Sequence, residues 1–158
     1  MAGENQLSIQ RWLDATASAT LGIAPALGCD GGSVTGPLER LEPVRAGAYI
    51  PMICEEDCLQ IGFVADAETC QRMARAFLCM EPEDEDLPAE DLADAIGELV
   101  NVLAGAVKTE IVAHDPSVKL GLPVFVQGEL NVGKQEAAYA EVQLGEFETQ
   151  VIVLRQGA

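Results

Sequence analysis

The chain has 158 residues, enough for one domain with a full core, and it is 49% apolar but only 4% aromatic, so that core has to be aliphatic. Nine basic residues against twenty-six acidic ones leave a formal charge of −17, which argues against nucleic acid and against an anionic membrane surface as partner. A protein or a small ligand remains.

No apolar run reaches the roughly 18 residues that a spanning helix needs. The start, Met1-Ala-Gly-Glu-Asn-Gln, lacks the basic-then-apolar pattern of a secretion signal. A cytoplasmic location is therefore expected, with the odd set Cys29, Cys54, Cys58, Cys70 and Cys79 kept as thiols.

Leu7, Ile9, Trp12, Leu13, Ala17 and Leu21 recur at helical spacing and predict a helix over about 7–21. Pro25 and the Gly28-Cys-Asp-Gly-Gly32 cluster end it in a loop; the cluster lacks the Lys-Ser/Thr of a phosphate loop and reads as a plain turn. Val44 to Cys54 and Cys58 to Ala65 read as paired strands joined by an acidic turn, Glu55-Glu56-Asp57. Asp66 is placed to cap a second helix running through Met73, Ala76 and Phe77 to about Met80.

Glu81-Pro-Glu-Asp-Glu-Asp86 is a solvated acidic linker whose charge suits the positive end of the next helix. That third helix is expected from about Pro88 to Ile111, followed by a connection, Val112 to Leu120, that contains His114. Three strands complete the chain, about Val124–Glu129, Tyr139–Gly145 and Thr149–Leu154, the last two forming a tight hairpin around Glu146 and Phe147. The sum is one α+β domain over 1–158, with helices packed on an antiparallel-rich sheet.

The third helix has two unlike faces. At about 100° per residue, Leu92, Ile96, Leu99, Val100, Leu103 and Val107 make one apolar stripe. Asp94, Glu98, Asn101, Gly105 and Lys108 follow one another along the opposite side. Asn and Gly inside a helix each cost roughly 0.5–1 kcal/mol against Ala, so a merely solvated face would not favour them. An asparagine amide both donates and accepts and can orient a water molecule without titrating. A carboxylate one turn away can hold a cation of a partner, and a glycine lets another backbone come close. Such a ridge suits a reaction in which the partner brings metal and substrate while this chain positions water.

Other chemistries find little support. The single histidine, His114, lies in a loop with no nucleophile motif nearby, and a buried or capping role is expected for it. Cys54 and Cys58 have a zinc-like spacing, but no second ligand pair follows, so a metal sensor built on them and His114 is short of ligands.

The ridge resembles the CheC/CheX/FliY family of bacterial chemotaxis phosphatases, and among them the CheX type. The residues that carry the likeness are Asp94, then Glu98-Leu-Val-Asn101 within Gly97-Glu-Leu-Val-Asn-Val-Leu-Ala-Gly105-Ala-Val-Lys108-Thr, and Pro123 in Gly121-Leu-Pro-Val-Phe-Val-Gln-Gly128. The likeness is sharp from about Asp86 to Gly128. It implies a CheC-like fold and, as substrate, the phosphoaspartate of a CheY-like receiver domain.

On that resemblance Asn101 would enter the receiver's active site and align water for in-line attack on phosphorus, and Glu98 would pair with the receiver's lysine. Asp94 and Gly105 would support the partner contact. The Mg2+ of such a reaction belongs to the receiver, leaving this chain with no metal of its own. CheC-type members carry a second Glu-x-x-Asn; here the nearest string is Glu68-Thr-Cys-Gln71, an ordinary helix start, so one site is expected. Relatives also pair as homodimers through sheet edges, and the carboxy-terminal hairpin is expected to offer one. The competing reading is a non-catalytic module of the same fold that binds a receiver or a motor component.

Overall fold

The computed structural model describes residues 6–41, 45–55, 57–128 and 133–156. In chain order the elements are helix α1 (Ile9–Leu21), a 3-10 turn (Ala24–Leu27), strands β1 (Gly32–Leu38), β2 (Arg45–Ile53) and β3 (Cys58–Ala65), helices α2 (Ala67–Phe77) and α3 (Ala89–Ile111), and strands β4 (Lys119–Leu120), β5 (Val124–Gly128), β6 (Glu136–Leu144) and β7 (Phe147–Arg155). All the strand pairings are antiparallel, in the order β1-β6-β7-β3-β2, with β4 and β5 lying end to end along the free side of β2. This is the α+β, antiparallel-rich architecture that the periodicities predict. Val44, Glu56 and Glu129, assigned above to two strand ends and a turn, lie outside the described residues.

Alternation along the strands decides which side of the sheet the helices cover. Ala48, Ile50 and Met52 of β2, Leu59, Ile61 and Phe63 of β3, and Val151 and Val153 of β7 point to one face and join Trp12 and Leu13 of α1, Met73 of α2 and the stripe of α3 in the main core. A smaller cluster, Val64, Tyr139, Ile152 and Leu154, lies on the other face. Among the described residues no helix is long and apolar enough to cross a membrane.

Local chemistry sets the helix ends. Ser8 caps α1, its Oγ accepting from Arg11 N at 3.1 Å, and Asp66 caps α2, accepting from Thr69 N at 2.7 Å. The second helix stops at Phe77, short of the expected Met80. Cys79 takes a left-handed φ of +58°, and the bonds Met80 N to Arg75 O and Cys79 N to Ala76 O close the helix end. That stop is usually signalled by glycine, and here a cysteine performs it.

Three further expectations are corrected. The Gly28–Gly32 cluster does not end as a plain turn: Gly32 opens β1, a strand poor in strand formers that forms because β6 offers it an edge. Its register shifts between Val34 and Gly36, where Gly36 has φ +125°. The carboxy-terminal hairpin offers no free edge, because β6 is covered by β1 and β7 by β3. His114 is neither buried nor a cap; it is exposed in the turn that follows α3.

At Gly62 on β3 a Cβ would lie 2.0 Å from Ala48 O and 2.7 Å from Tyr49 Cα. Only glycine lets β2 and β3 approach so closely there. Lower down, Arg155 grips Asp57 through Nε at 3.2 Å and Nη2 at 3.1 Å, also donates to Leu7 O, and so ties the end of β7 to the β2–β3 turn and the chain ahead of α1.

The Asp66 cap has a pH signature. The Thr69 amide bond, with help from Arg45 and Arg72, holds this carboxyl below the usual aspartate range. A carboxylate with a depressed folded-state pKa stabilises fully above its unfolded pKa of about 3.9 and progressively less as pH falls through the folded value. Asp66→Ala should cost about 1 kcal/mol at pH 7 in denaturant titrations. The deficit should shrink as pH falls below the unfolded value of about 3.9; a deficit that stays undiminished as far into acid as the protein remains folded would contradict the assignment.

Candidate functional site

The stripe residues Leu92, Ile96, Leu99, Val100, Leu103 and Val107 are all buried. Their burial turns Asp94, Glu98 and Asn101 outward, where all three are exposed, while Gly105 and Lys108 on the same crest are half-buried. The structure thus brings together the residues that the sequence assigns to the ridge. Among the described residues, no side-chain hydrogen bond or ion pair engages Asp94, Glu98 or Asn101. Their bonding capacity is directed outward, to solvent.

The crest stands between two troughs. On one side Asp94, Gly97, Glu98 and Asn101 face Gly121–Pro123 and Phe125 across an open groove of about 460 Å3. On the other side Val102, Ala106 and Glu110 face the end of α1, Ser18 to Ile23, across a smaller one of about 260 Å3. Arg11 on α1 and Glu110 on α3 are joined at 2.6 Å across the helix pair.

A proline shapes the larger trough. Pro51 lies in β2 and its carbonyl accepts from Gly121 N at 2.9 Å on the free side of that strand. A strand residue's N–H and C=O point the same way, so the donor that Pro51 lacks is missing on that side. The outer ladder accordingly breaks between β4 and β5, and Gly121-Leu122-Pro123 bridges the gap. Pro123 leans on α3: a Cβ at Gly97 would meet its ring at 3.6 Å, an ordinary contact. Gly97 and Pro123 together floor the groove.

At Gly105 a Cβ would meet nothing within 4 Å. No internal packing calls for glycine there.

The second-site string is occupied otherwise. Gln71 donates from Nε2 to Leu87 O at 3.0 Å and accepts from Leu87 N at 2.8 Å. Arg75, 7% exposed, meets Asp86 at 2.8 Å. Both bonds fasten the acidic linker to α2 just ahead of α3, so Gln71 is a brace and its amide is committed.

All five cysteines are free thiols. Cys54 and His114 line a separate cavity of about 430 Å3 with Trp12 and Asp115, and Cys58 does not. Burial, then the charges of Asp115 and Asp57, pushes the Cys54 thiol up to about 12, which keeps it protonated at neutral pH. Among the described residues no group of three or more His, Cys, Asp or Glu side chains could hold a metal ion.

Sequence reading missed two members of the surface. Val102 is 50% exposed and Leu122 83% exposed. The signal for Val102 was available, since it falls about 100° off the buried stripe on the helical wheel. Leu122 carries none, because its exposure follows from the break opposite Pro51.

Comparison with known proteins gives the family and the fold. The model of the family described as "Chemotaxis phosphatase CheX" matches residues 56–142, which include the whole crest and Pro123. Among solved structures, the chemotaxis protein CheX from Desulfovibrio desulfuricans superposes with a TM-score of 0.74 at 15% identity, over 92% of this chain and 99% of its own. CheX in the CheX–CheY–BeF3–Mg2+ complex from Borrelia burgdorferi gives 0.68 at 19% identity, over 94% and 97%. FliY from Thermotoga maritima gives 0.64 at 15% identity, over 98% and 90%. At such identities the superpositions establish the shared fold. No curated protein matches the chain.

The open space at Gly105 makes a direct prediction. Gly105→Ala should raise stability by about 0.5–1 kcal/mol and the Tm by a few degrees. A lowered Tm in calorimetry would show that the glycine serves the fold after all.

Proposed function

Because the chain belongs to the CheX family of chemotaxis phosphatases, we propose that it binds the phosphorylated receiver domain of a CheY-like response regulator and accelerates hydrolysis of its phosphoaspartate. The observation that carries this reading is the outward, internally unpartnered pair Glu98 and Asn101 on a helix crest flanked by a groove on each side. A solved CheX complexed with CheY, BeF3 and Mg2+ is among the structures of the same fold.

The chemistry follows from the functional groups. The Asn101 amide cannot act as a base at neutral pH, but its carbonyl accepts from a water while its NH2 donates, which holds the water in line with the P–O bond to be broken. Water attacks phosphorus, the acyl phosphate P–O bond breaks, and aspartate carboxylate and inorganic phosphate leave. In phosphoryl transfer with a loose transition state, positioning and charge neutralisation supply nearly all the catalysis. The Glu98 carboxylate pairs with the receiver's lysine and sets the register of docking, with Asp94 supporting the same contact. Gly105 leaves room for the partner's backbone. The Mg2+ that neutralises the phosphoryl oxygens sits in the receiver, so this chain needs no metal of its own.

We also propose a homodimer. The β4–β5 edge borders the crest and has to stay open to the partner, which leaves β1 as the edge for a second copy. The bulge after Val34 and Pro37 interrupt that edge, so pairing runs through Gly32–Val34.

Dephosphorylation of a CheY-like receiver tests the activity. Wild type should accelerate it, and Asn101→Ala should lower turnover on the order of a hundredfold with affinity for the receiver preserved. Binding without acceleration by wild type would make the chain an adaptor. Sedimentation velocity at tens of micromolar should return the mass of a dimer, and a monomer would refute the pairing.

A further inference from the structure

Leu122 and Val102 border the crest on opposite sides, Leu122 in the larger trough and Val102 in the smaller. Single exposed aliphatic residues are ordinary, so position and rigidity have to carry the argument. Leu122 has both. Its neighbour Gly121 is bonded to Pro51 O and packed so closely that a Cβ would come within 3.0 Å of the Pro51 ring. Its other neighbour, Pro123, has a fixed φ and rests on Gly97 of α3. A leucine presented on a backbone clamped at both ends gives up little freedom when a partner covers it.

Charge leaves room for such a contact. This chain carries −17, so apart from the Glu98–lysine pair and the receiver's Mg2+ its long-range field does not favour approach to an anionic phosphoaspartate. Glu98 and Asn101 exchange water bonds for partner bonds and add modest net affinity. Apolar burial beside the crest is the attraction that salt and field leave untouched.

We infer that Leu122 is the apolar anchor of the receiver interface: the rim around the receiver's phosphorylation site seats on Leu122, with Val102 on the far side, as the crest enters. This rests on the receiver-binding reading above. Leu122 thereby governs affinity and the choice among receivers, and it takes no part in the chemistry.

The test compares wild type, Leu122→Ser and Asn101→Ala, each as the full chain. Affinity is measured against a panel of CheY-like receivers charged with beryllofluoride and Mg2+, and turnover with the phosphorylated forms. Leu122→Ser should raise Kd and KM roughly tenfold, leaving saturated turnover and Tm unchanged. Asn101→Ala should do the reverse. A Leu122→Ser affinity within twofold of wild type, or a loss confined to saturated turnover, overturns the anchor. Wild type that binds without hydrolysing sinks the phosphatase and still lets the Kd comparison decide the anchor. Wild type that binds none of the receivers overturns both.

Discussion

The rotational setting of α3 on the sheet is the constraint on which the rest depends. Six large aliphatic side chains of this helix are buried against β2, β3 and its neighbouring helices, and each contributes on the order of 2 kcal/mol by leaving water. Turning the helix by a single residue would rotate it by about 100° and carry several of them into solvent. The core therefore locks the direction in which Glu98 and Asn101 point. A site built this way owes its geometry to a rigid helix and not to a loop, which is what the positioning of a water molecule demands.

The sheet reaches this helix through one missing hydrogen-bond donor. Because Pro51 breaks the outer ladder, the chain between β4 and β5 is free to turn toward α3, where Pro123 meets Gly97. A strand edge thus becomes one wall of the candidate site. On the other flank the braces Gln71–Leu87 and Arg75–Asp86 hold the linker down where α3 begins. The glutamine of the string Glu68-Thr-Cys-Gln71 is thereby committed to structure. Among the described residues the arrangement is asymmetric: the Glu98–Asn101 crest is turned outward while Gln71 is bonded internally.

Much of this was legible in residue order. The spacing of Leu92 to Val107 foretold both the helix and its buried side, and the same count placed Asp94, Glu98, Asn101 and Gly105 together on the other. Asp66 announced the start of α2, and its cap is formed. The elements that escaped share a physical cause. Gly32–Leu38 has weak strand propensity and exists as a strand because β6 pairs with it, a contact between residues about a hundred apart in the chain. The end of α2 escaped because a cysteine takes the left-handed conformation where glycine is the usual sign.

The sequence by itself determined which residues form the crest, because helical periodicity is a local property and burial of the apolar stripe leaves one orientation for the polar side. It also determined the fold class, through alternation in the strands and the order of elements. Only the tertiary structure decided what surrounds the crest: which strands are edges, why the carboxy-terminal hairpin is interior, and why Leu122 faces solvent beside it. Those features depend on long-range pairing and on one absent N–H at Pro51, and neither leaves a period in the sequence from which it can be read.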